Sequence, residues 1–290
     1  MELRHIAQRE GKLLSFLRRE LSLSSSLVKR LKWQGAFLVN GQMVHTDHPV
    51  KPGDVILVEL EEAAPEFPAE DGPLEILYED EALIAVDKPA GIVMHPTFYR
   101  IDGTLANRLT GYYQKTGQAC AVHPVSRLDR DTFGVTLFAK NAHIHGRMMA
   151  QMKEGLVEKT YLALTAGCPE EDQGQWNWPI GRKEGESLLR QVDPEGQKAV
   201  TRFRVLERRQ PLSLLQLQPV TGRTHQLRVH CAYAGCPIAG DPQYGGQAAC
   251  YAPHQQLLAW KLQFSHPLTG CPVTVVSKQG FDVGVFCVFP

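Results

Sequence analysis

Apolar residues in the first 60 positions recur at the three- and four-residue spacing that is typical of α-helices. One helix is predicted around residues 13–21, and a second follows Ser24 or Ser25, either of which can cap it. The apolar positions are Leu13, Leu14, Leu17 and Leu21 in the first helix, and Leu27, Val28 and Leu31 in the second.

A hairpin and a closing strand are predicted after these helices. Asn40 and Gly41 separate two short apolar runs, and both tolerate the positive φ that a two-residue hairpin turn requires. Residues 51–54, with the sequence KPGD, form a second turn, and residues 55–60 have the pattern of a strand. Residues 12–60 are therefore predicted to form a small α/β domain.

The pattern changes after this domain. Residues 61–73, EEAAPEFPAEDGP, have the composition of a linker. Residues 74–290 contain many short strand-like runs and two helical stretches, residues 142–153 and 224–234, which favours an α+β fold over a βαβ repeat. The strand-like runs are residues 83–86, 135–139, 161–165, 201–206, 214–217 and 273–276.

Composition is that of a soluble globular protein, with 43% hydrophobic and 21% charged residues. No stretch resembles a secretory signal or approaches the roughly 20 apolar residues of a membrane helix, so a cytoplasmic location without membrane contact is predicted. The seven cysteines never occur as C-x-x-C, which indicates buried thiols rather than disulfides or a zinc site.

Charge is unevenly distributed although the net charge is zero. Residues 1–46 contain eight Lys or Arg and three Glu, whereas residues 61–87 contain ten acidic residues and no Lys or Arg. A basic module of this kind suits a nucleic-acid surface, but it suits a solvated surface without a partner equally well. The candidate phosphate contacts are Arg18, Arg19, Lys29, Arg30 and Lys32.

One segment combines a carboxylate with flanking positive charge. In residues 126–132, SRLDRDT, Asp129 lies between Arg127 and Arg130. Nearby guanidinium groups favour an ionised carboxylate, which is the form that a nucleophile or base requires. Taken alone, the segment is also compatible with a surface ion-pair network.

Three further segments carry candidate chemistry. Residues 86–91, VDKPAG, predict a rigid turn after a strand, and Tyr161 in EKTYLA is either a core residue or a platform for a nucleobase. Residues 221–230, TGRTHQLRVH, place Arg223 near a helix start and Arg228 one turn later. His225 and His230 are five residues apart, on different helix faces, which argues against a metal site.

Together, these segments resemble the RluA family of pseudouridine synthases over residues 74–277, on RLDRDT, EKTYLA, TGRTHQLRVH and PIAGDPQYG. The resemblance implies a mixed, mainly antiparallel sheet with a central cleft. It implies Asp129 as the essential aspartate, Tyr161 against the target base near carbon 5, and Arg223 paired with Asp129. Candidate RNA contacts in this domain are Arg127, Arg130, Arg228 and His225. Ser126 and Phe133 depart from the family's usual His and Ser, which bears on the choice of target.

Residues 12–60 resemble the small RNA-binding fold named after ribosomal protein S-four, on the VNG hairpin and VKPGDVI. RNA is therefore the expected partner, with ribosomal RNA as the first expectation and transfer RNA as the alternative. The other interpretation of this domain is a structural cap. No obligate protein partner is predicted.

Pseudouridine formation needs no redox change and no imported group, so no cofactor and no metal are expected. Asp129 could attack the sugar, attack the base, or remove a sugar proton to give a glycal. Three other functions are alternatives: an RNA-binding protein with an inactive synthase fold, an N-glycosidic hydrolase, and a metal-dependent phosphohydrolase. The last lacks a carboxylate–histidine ligand cluster in the sequence.

Overall fold

The computed structural model describes residues 2–60, 67–96, 101–183 and 185–281. The strands are β1 (Glu2–Ile6), β2 (Gly11–Lys12), β3 (Phe37–Val39), β4 (Gln42–Met43), β5 (Pro49–Val50), β6 (Val55–Glu59), β7 (Ile76–Glu79), β8 (Leu83–Lys88), β9 (His123–Pro124), β10 (Phe133–Ala139), β11 (Glu158–Ala166), β12 (Gln173–Trp176), β13 (Ile180–Lys183), β14 (Glu186–Val192), β15 (Thr201–Arg208), β16 (Leu212–Pro219), β17 (Leu257–Ser265) and β18 (Pro272–Val276). The helices are α1 (Leu13–Arg19), α2 (Ser25–Gln34), α3 (Leu105–Lys115), α4 (Ala142–Glu154) and α5 (Gln226–Tyr233), with a 3-10 helix at Gly246–Tyr251.

The N-terminal region is a four-stranded sheet in the order β1-β6-β3-β4, covered by α1 and α2 around one apolar core. Asn40 and Gly41 have φ of 52° and 79°, as the predicted hairpin requires. The Ser24 side chain caps α2, which buries Leu27, Val28 and Leu31 as expected. The sheet begins earlier than the predicted domain, because β1 pairs with β6.

Two details of this region differ from the pattern in the sequence. Phe16 is buried in α1, whereas Leu14, one of the predicted apolar positions, is 45% exposed. The helix ends at Arg19, so Leu21 reaches the same core from the segment that follows it. The core therefore uses fewer helical residues than the spacing of leucines indicated.

The second half of the predicted linker packs against the large domain. Residues 61–66 lie outside the described ranges. Residues 67–74 contact α3 and the residues just before it. The Glu70 carboxylate accepts the Gly103 N–H at 2.9 Å, and the Asn107 amide donates to the Pro68 carbonyl at 2.9 Å. A Cβ on Gly111 would lie 2.1 Å from the Glu70 carbonyl oxygen, so only glycine permits this approach.

The large domain is built on a ten-stranded sheet. Its main path is β12-β15-β16-β11-β17-β10-β8-β7, with β18 beside β17 and β9 beside β10. Only the β10–β17 pair is parallel among the described strands of this sheet, so the expected mixed, mainly antiparallel α+β fold is confirmed. Separate apolar clusters lie beside α3, α4 and α5.

The predicted strands all occur, each within β8, β10, β11, β15, β16 or β18. The helix predicted at 142–153 is α4, capped by the Asn141 side chain and ended by Gly155 in a left-handed conformation. Helix α3 was not predicted. It begins with a Thr104–Asn107 capping box, and Gly111 interrupts an otherwise helical composition.

The cysteine prediction is only partly correct. The six cysteines in the described ranges are free thiols. Of these six, Cys231 and Cys236 are buried, Cys120 and Cys168 are half-buried, and Cys250 and Cys271 are exposed. Cys287 lies outside those ranges.

Candidate active site

Asp129 lies on the loop that joins β9 to β10. Leu128 is buried and anchors the loop in the core, while the Asp129 side chain remains 31% exposed. The loop is held from below by Lys88, whose Nζ donates to the carbonyls of Arg130 at 2.7 Å, Ile92 at 2.9 Å and Pro89 at 3.0 Å. The VDKPAG segment therefore supports the aspartate loop.

Lys88 is fully buried, and nothing in the sequence pattern indicated this anchoring role. Burial lowers the pKa of Lys88 to about 7, and the charges of Asp131 and Asp129 oppose this shift. The two carboxylates therefore favour the charged form of this lysine, whereas burial disfavours it.

The arginines that flank Asp129 do not bind it. The Arg130 guanidinium forms a bidentate pair with Asp131, with Nε–Oδ1 at 3.0 Å and Nη2–Oδ2 at 2.8 Å. Arg127 is exposed. These two guanidinium groups, which were predicted to favour an ionised Asp129, form no hydrogen bond with it within the described ranges, and their contact with RNA stays a prediction.

Arg228 provides the contact to Asp129 instead. Its Nη1 donates to Asp129 Oδ2 at 3.0 Å. Its Nε and Nη2 donate to the two carboxylate oxygens of Asp241 at 2.7 and 2.8 Å, and Nη2 also donates to Gln243 Oε1 at 2.8 Å. The guanidinium lies 4.9 Å from the centre of the Tyr244 ring. One buried cation therefore joins the Asp129 loop to the GDPQYG segment.

The electrostatics of this pair follow from burial and charge. The Arg228 side chain is 5% exposed and that of Asp241 is fully buried. Burial raises the pKa of Asp241, but hydrogen bonds and charge from Arg228 outweigh it, so this pKa falls below its usual range. Burial lowers the pKa of Arg228, and Asp241 and Asp129 outweigh it in the opposite direction. Both groups stay charged.

The predicted pairing of Arg223 with Asp129 is wrong. Arg223 is exposed, and its Nε donates to the Lys198 carbonyl at 3.0 Å. The physical reason is the start of α5, which lies at Gln226 rather than at residue 224. Arg223 therefore belongs to the preceding loop, where the Gln226 amide oxygen accepts its backbone N–H at 3.0 Å, whereas Arg228 lies in the first turn of the helix.

Tyr161 reaches the same region through the sheet. Tyr161 on β11 pairs with Ala259 on β17, and Ala259 pairs with Gly134 on β10, shortly after Asp129. Tyr161 is half-buried among apolar residues of two clusters. Burial and then the charge of Asp129 raise the pKa of its hydroxyl, so the phenol is neutral at physiological pH.

The two histidines of the α5 segment lie apart. His225 Nε2 is 3.8 Å from Asp129 Oδ2, and its Nδ1 is 2.8 Å from the Tyr244 hydroxyl. His230 is buried elsewhere, with contacts to Thr201 Oγ1 at 3.0 Å and the Trp178 carbonyl at 2.9 Å. They share no ligand position, and the described residues contain no group of three His, Cys, Asp or Glu that could hold a metal ion.

The basic residues predicted to contact RNA from the small domain are all exposed. They are Arg18, Arg19, Lys29, Arg30 and Lys32. The sequence prediction missed Trp33, which is 83% exposed on the same helix as the last three. A large aromatic residue beside basic residues is a feature that the sequence could have revealed.

The two departures from the family pattern occupy different environments. Phe133 is 3% exposed, and its ring packs edge-on against His254 and Phe281. Ser126 is half-buried on the Asp129 loop. Only Ser126 is therefore placed where it could affect the access of a substrate. Among the described residues, no helix is both long and apolar enough to cross a bilayer.

Comparisons with known proteins show which family the chain is similar to. Residues 82–233 match the family model of RNA pseudouridylate synthases. The chain is 39% identical to the uncharacterized RNA pseudouridine synthase YjbO of Bacillus subtilis, over 86% of this chain and 89% of that protein. It is 36% identical to ribosomal large subunit pseudouridine synthase D of Pseudomonas aeruginosa, over 81% and 78% of the two chains.

A solved structure gives the same assignment. Human RNA pseudouridylate synthase domain containing 1 superposes with a TM-score of 0.61 at 29% identity, covering 73% of this chain and 86% of the human one. The residues matched by the family model include the Asp129 loop, β11 with Tyr161, and α5. The chain belongs to the RluA family of RNA pseudouridine synthases.

Proposed function

We propose that this isomerase converts uridine to pseudouridine in ribosomal RNA in the cytoplasm, with Asp129 as its nucleophile. The observation that carries the proposal is the Arg228–Asp129 contact of 3.0 Å beside Tyr161. The name of the Pseudomonas relative supports the large ribosomal subunit as the substrate.

The reaction breaks the bond from ribose C1′ to uracil N1, turns the base and rejoins it through C5. The C5 proton leaves, and N1 gains a proton, so the atoms balance without a cofactor. Asp129 is anchored through Oδ2, and its other oxygen accepts no hydrogen bond from the described residues. This arrangement supports a carboxylate with one held and one reactive oxygen.

The surroundings of Tyr161 favour contact with the base over proton transfer. As a neutral phenol in an apolar setting, it offers a ring against which the uracil can pack. Burial is the larger cause of the raised Tyr161 pKa and the charge of Asp129 the smaller, so the hydroxyl keeps its proton and the ring is the part of this side chain that the proposal uses.

RNA contacts are assigned to both domains. Lys29, Arg30 and Lys32 supply point charges for phosphates, and Trp33 supplies a stacking surface. A groove of about 650 Å³ separates α2 from α4 and is lined by Arg30 and Arg147, among others. These contacts would offset the few kcal/mol needed to unstack the target uridine.

The test is a map of pseudouridines in total RNA from cells with and without the gene. One or more ribosomal positions should lose the modification and regain it when the wild-type gene, but not the Asp129→Asn gene, is returned. Loss confined to transfer RNA would reject the proposed substrate. Recovery with Asp129→Asn would reject the proposed nucleophile.

Deleting residues 1–60 is expected to weaken RNA binding more than turnover at saturating RNA. The deletion removes a separate apolar core, which touches the large domain through Leu268. Asp129, Tyr161 and Arg228 all lie beyond the cut. The slope of log affinity against log salt should fall by about 0.7–0.9 for each phosphate that the shortened protein no longer neutralises. Filter binding at several salt concentrations measures both quantities.

A matched pair of full-length variants tests which surface is responsible. Lys29, Arg30 and Lys32 are replaced by Ala in one variant, and the exposed Arg4, Lys12 and Lys51 of the same domain in the other. Only the first should reproduce the change in salt slope. Unchanged affinity and slope in the truncated enzyme would instead make the small domain a structural cap.

Full activity is expected in excess chelator, because neither the reaction nor the side chains around Asp129 require a metal. Turnover of a refolded RNA should be the same after dialysis against a chelator, with monovalent salt maintaining the RNA fold. A lasting loss that one specific divalent ion restores, on RNA shown to be folded without it, would contradict this expectation.

A further inference from the structure

His225 adopts a backbone conformation that residues other than glycine rarely adopt. Its φ is 57° and its ψ is 18°, immediately before α5. Among the described non-glycine residues, Ser22 and Asn40 are the others with positive φ, and Asn40 is explained by its hairpin. Left-handed conformations are strained, and such strain is concentrated at functional sites. The conformation of His225 therefore points to a role for its imidazole.

The Tyr244 hydroxyl contacts one nitrogen of the His225 imidazole and can form a hydrogen bond there with either tautomer. The Arg190 backbone N–H donates to this hydroxyl at 2.9 Å, and the hydroxyl lies 2.8 Å from His225 Nδ1. If Nδ1 accepts the hydroxyl proton, Nε2 bears the N–H. The opposite tautomer would point a bare Nε2 lone pair at the Asp129 carboxylate, which is repulsive. The Nε2–H form is therefore favoured.

The two oxygens of Asp129 are in different surroundings. Oδ2 accepts a hydrogen bond from Arg228 Nη1 at 3.0 Å and faces His225 Nε2 at 3.8 Å. Oδ1 has no donor within the described part of the chain. If His225 Nε2 also donated to Oδ2, the two hydrogen bonds would fix the orientation of the carboxylate. Oδ1 would then point away from Arg228.

We propose that His225 is a positioning residue for Asp129: the Tyr244 hydroxyl contacts its Nδ1, and its Nε2–H holds Oδ2 so that Oδ1 reacts. The separation of 3.8 Å exceeds a hydrogen bond in this structure. Contacts of this kind often shorten only when the substrate is bound. The inference rests on the proposed role of Asp129 as the nucleophile.

The charges around His225 favour its neutral form. The charged groups that face it are Asp129, Arg228, Arg190 and Asp241. Burial lowers the pKa of His225, Asp129 raises it, and Arg228 and Arg190 lower it. The net effect is a pKa below the usual value of 6.5. Protonation at acid pH would place a second cation on Oδ2 and weaken Asp129 as a nucleophile. Activity should therefore fall as pH decreases through the His225 pKa.

The test is a double-mutant cycle on the single-turnover rate, with an RNA transcript that contains the mapped target uridine. His225→Ala should slow the reaction roughly ten- to hundredfold, the rate equivalent of one hydrogen bond to a charged group. Tyr244→Phe should slow it by a smaller factor. In the His225→Ala background, Tyr244→Phe should have no further effect, because it acts through the imidazole.

Three further measurements separate positioning from folding. His225→Gln, which keeps an N–H donor, should recover most of the rate and lose the acid limb that the imidazole causes. The Kd for RNA should stay within about threefold throughout, since binding energy is not what is lost. Tyr233→Phe, at the exposed end of the same helix, is the matched control and should behave as wild type.

Equal losses from Tyr244→Phe in both backgrounds would overturn the proposal, as would a loss carried by Kd alone. An unchanged acid limb in His225→Gln would also overturn it. These outcomes differ from failure of the proposed nucleophile, which would appear as activity in Asp129→Asn whatever residue occupies position 225.

Discussion

Replacing Asp129 by Asn is expected to abolish pseudouridine formation while RNA binding persists. The amide keeps the shape of the side chain and can still accept the Arg228 hydrogen bond that Oδ2 receives at 3.0 Å. It cannot act as an anionic nucleophile. The rate should fall by more than about a thousandfold, and RNA affinity should remain within about tenfold. Nucleoside analysis of the product RNA and a binding assay measure the two effects.

The matched control is Asp131→Asn, the same change two residues along the same loop. Asp131 pairs with Arg130 rather than with Arg228, so its replacement should have a far smaller effect on the rate. Substantial pseudouridine formation by Asp129→Asn would disprove the assignment. Release of free uracil by the wild-type enzyme would instead indicate an N-glycosidic hydrolase.

Replacing Arg228 by Met is expected to remove both activity and stability. Asp241 has a fully buried side chain and would lose its ion-pair partner. Breaking a buried ion pair in this way costs about 3–5 kcal/mol in the free energy of unfolding. Asp129 would lose its donor at the same time. Urea unfolding in a Trp33→Phe background follows the large domain, because Trp176, Trp178 and Trp260 are the remaining tryptophans.

The two consequences of this change can be separated. Adding Asp241→Asn to Arg228→Met removes the unpaired buried charge and should restore part of the stability, but not the activity. Measurements belong at neutral pH, where the lowered pKa of Asp241 keeps both partners of the wild-type ion pair charged; the stability that this pair contributes is lost as pH falls through that lowered pKa. Arg223→Met is the control. If it abolished turnover and Arg228→Met did not, the assignment of Arg228 would fail.

The parts of the fold that the sequence predicted well are those set by local patterns. The Asn40–Gly41 turn, the Ser24 cap and α4 with its Asn141 cap depend on side chains within a few residues of one another. Helix α3 was missed because its stability depends on a distant segment. Residues around Glu70 cover it, and Gly111, which looks like a helix breaker, is what permits that contact.

The candidate site shows the same division. The motifs indicated Asp129 and Tyr161 as candidates, but they could not determine which of two arginines, five residues apart, is buried. Arg228 is the buried one for two reasons. The left-handed conformation of His225 places the start of α5 at Gln226, and Asp241, which lies in another segment, pairs with Arg228. Lys88 was missed because its acceptors are backbone carbonyls, which have no signature in a sequence.

The register around Ala259 has a consequence for how such enzymes diverge. Gly134 and Tyr161 pair with Ala259 from opposite sides, so the two chemical segments are separated by two interstrand spacings of about 4.8 Å each. A Cβ on Gly134 would lie 2.3 Å from the Ala259 carbonyl oxygen and would force the strands apart. The spacing between the start of β10 and Tyr161 is thus defined by main-chain hydrogen bonds, whereas Asp129 depends on its own loop and on the contacts of Arg228 and Lys88. Surface loops that are remote from these strands can therefore change without altering the frame that carries the candidate site.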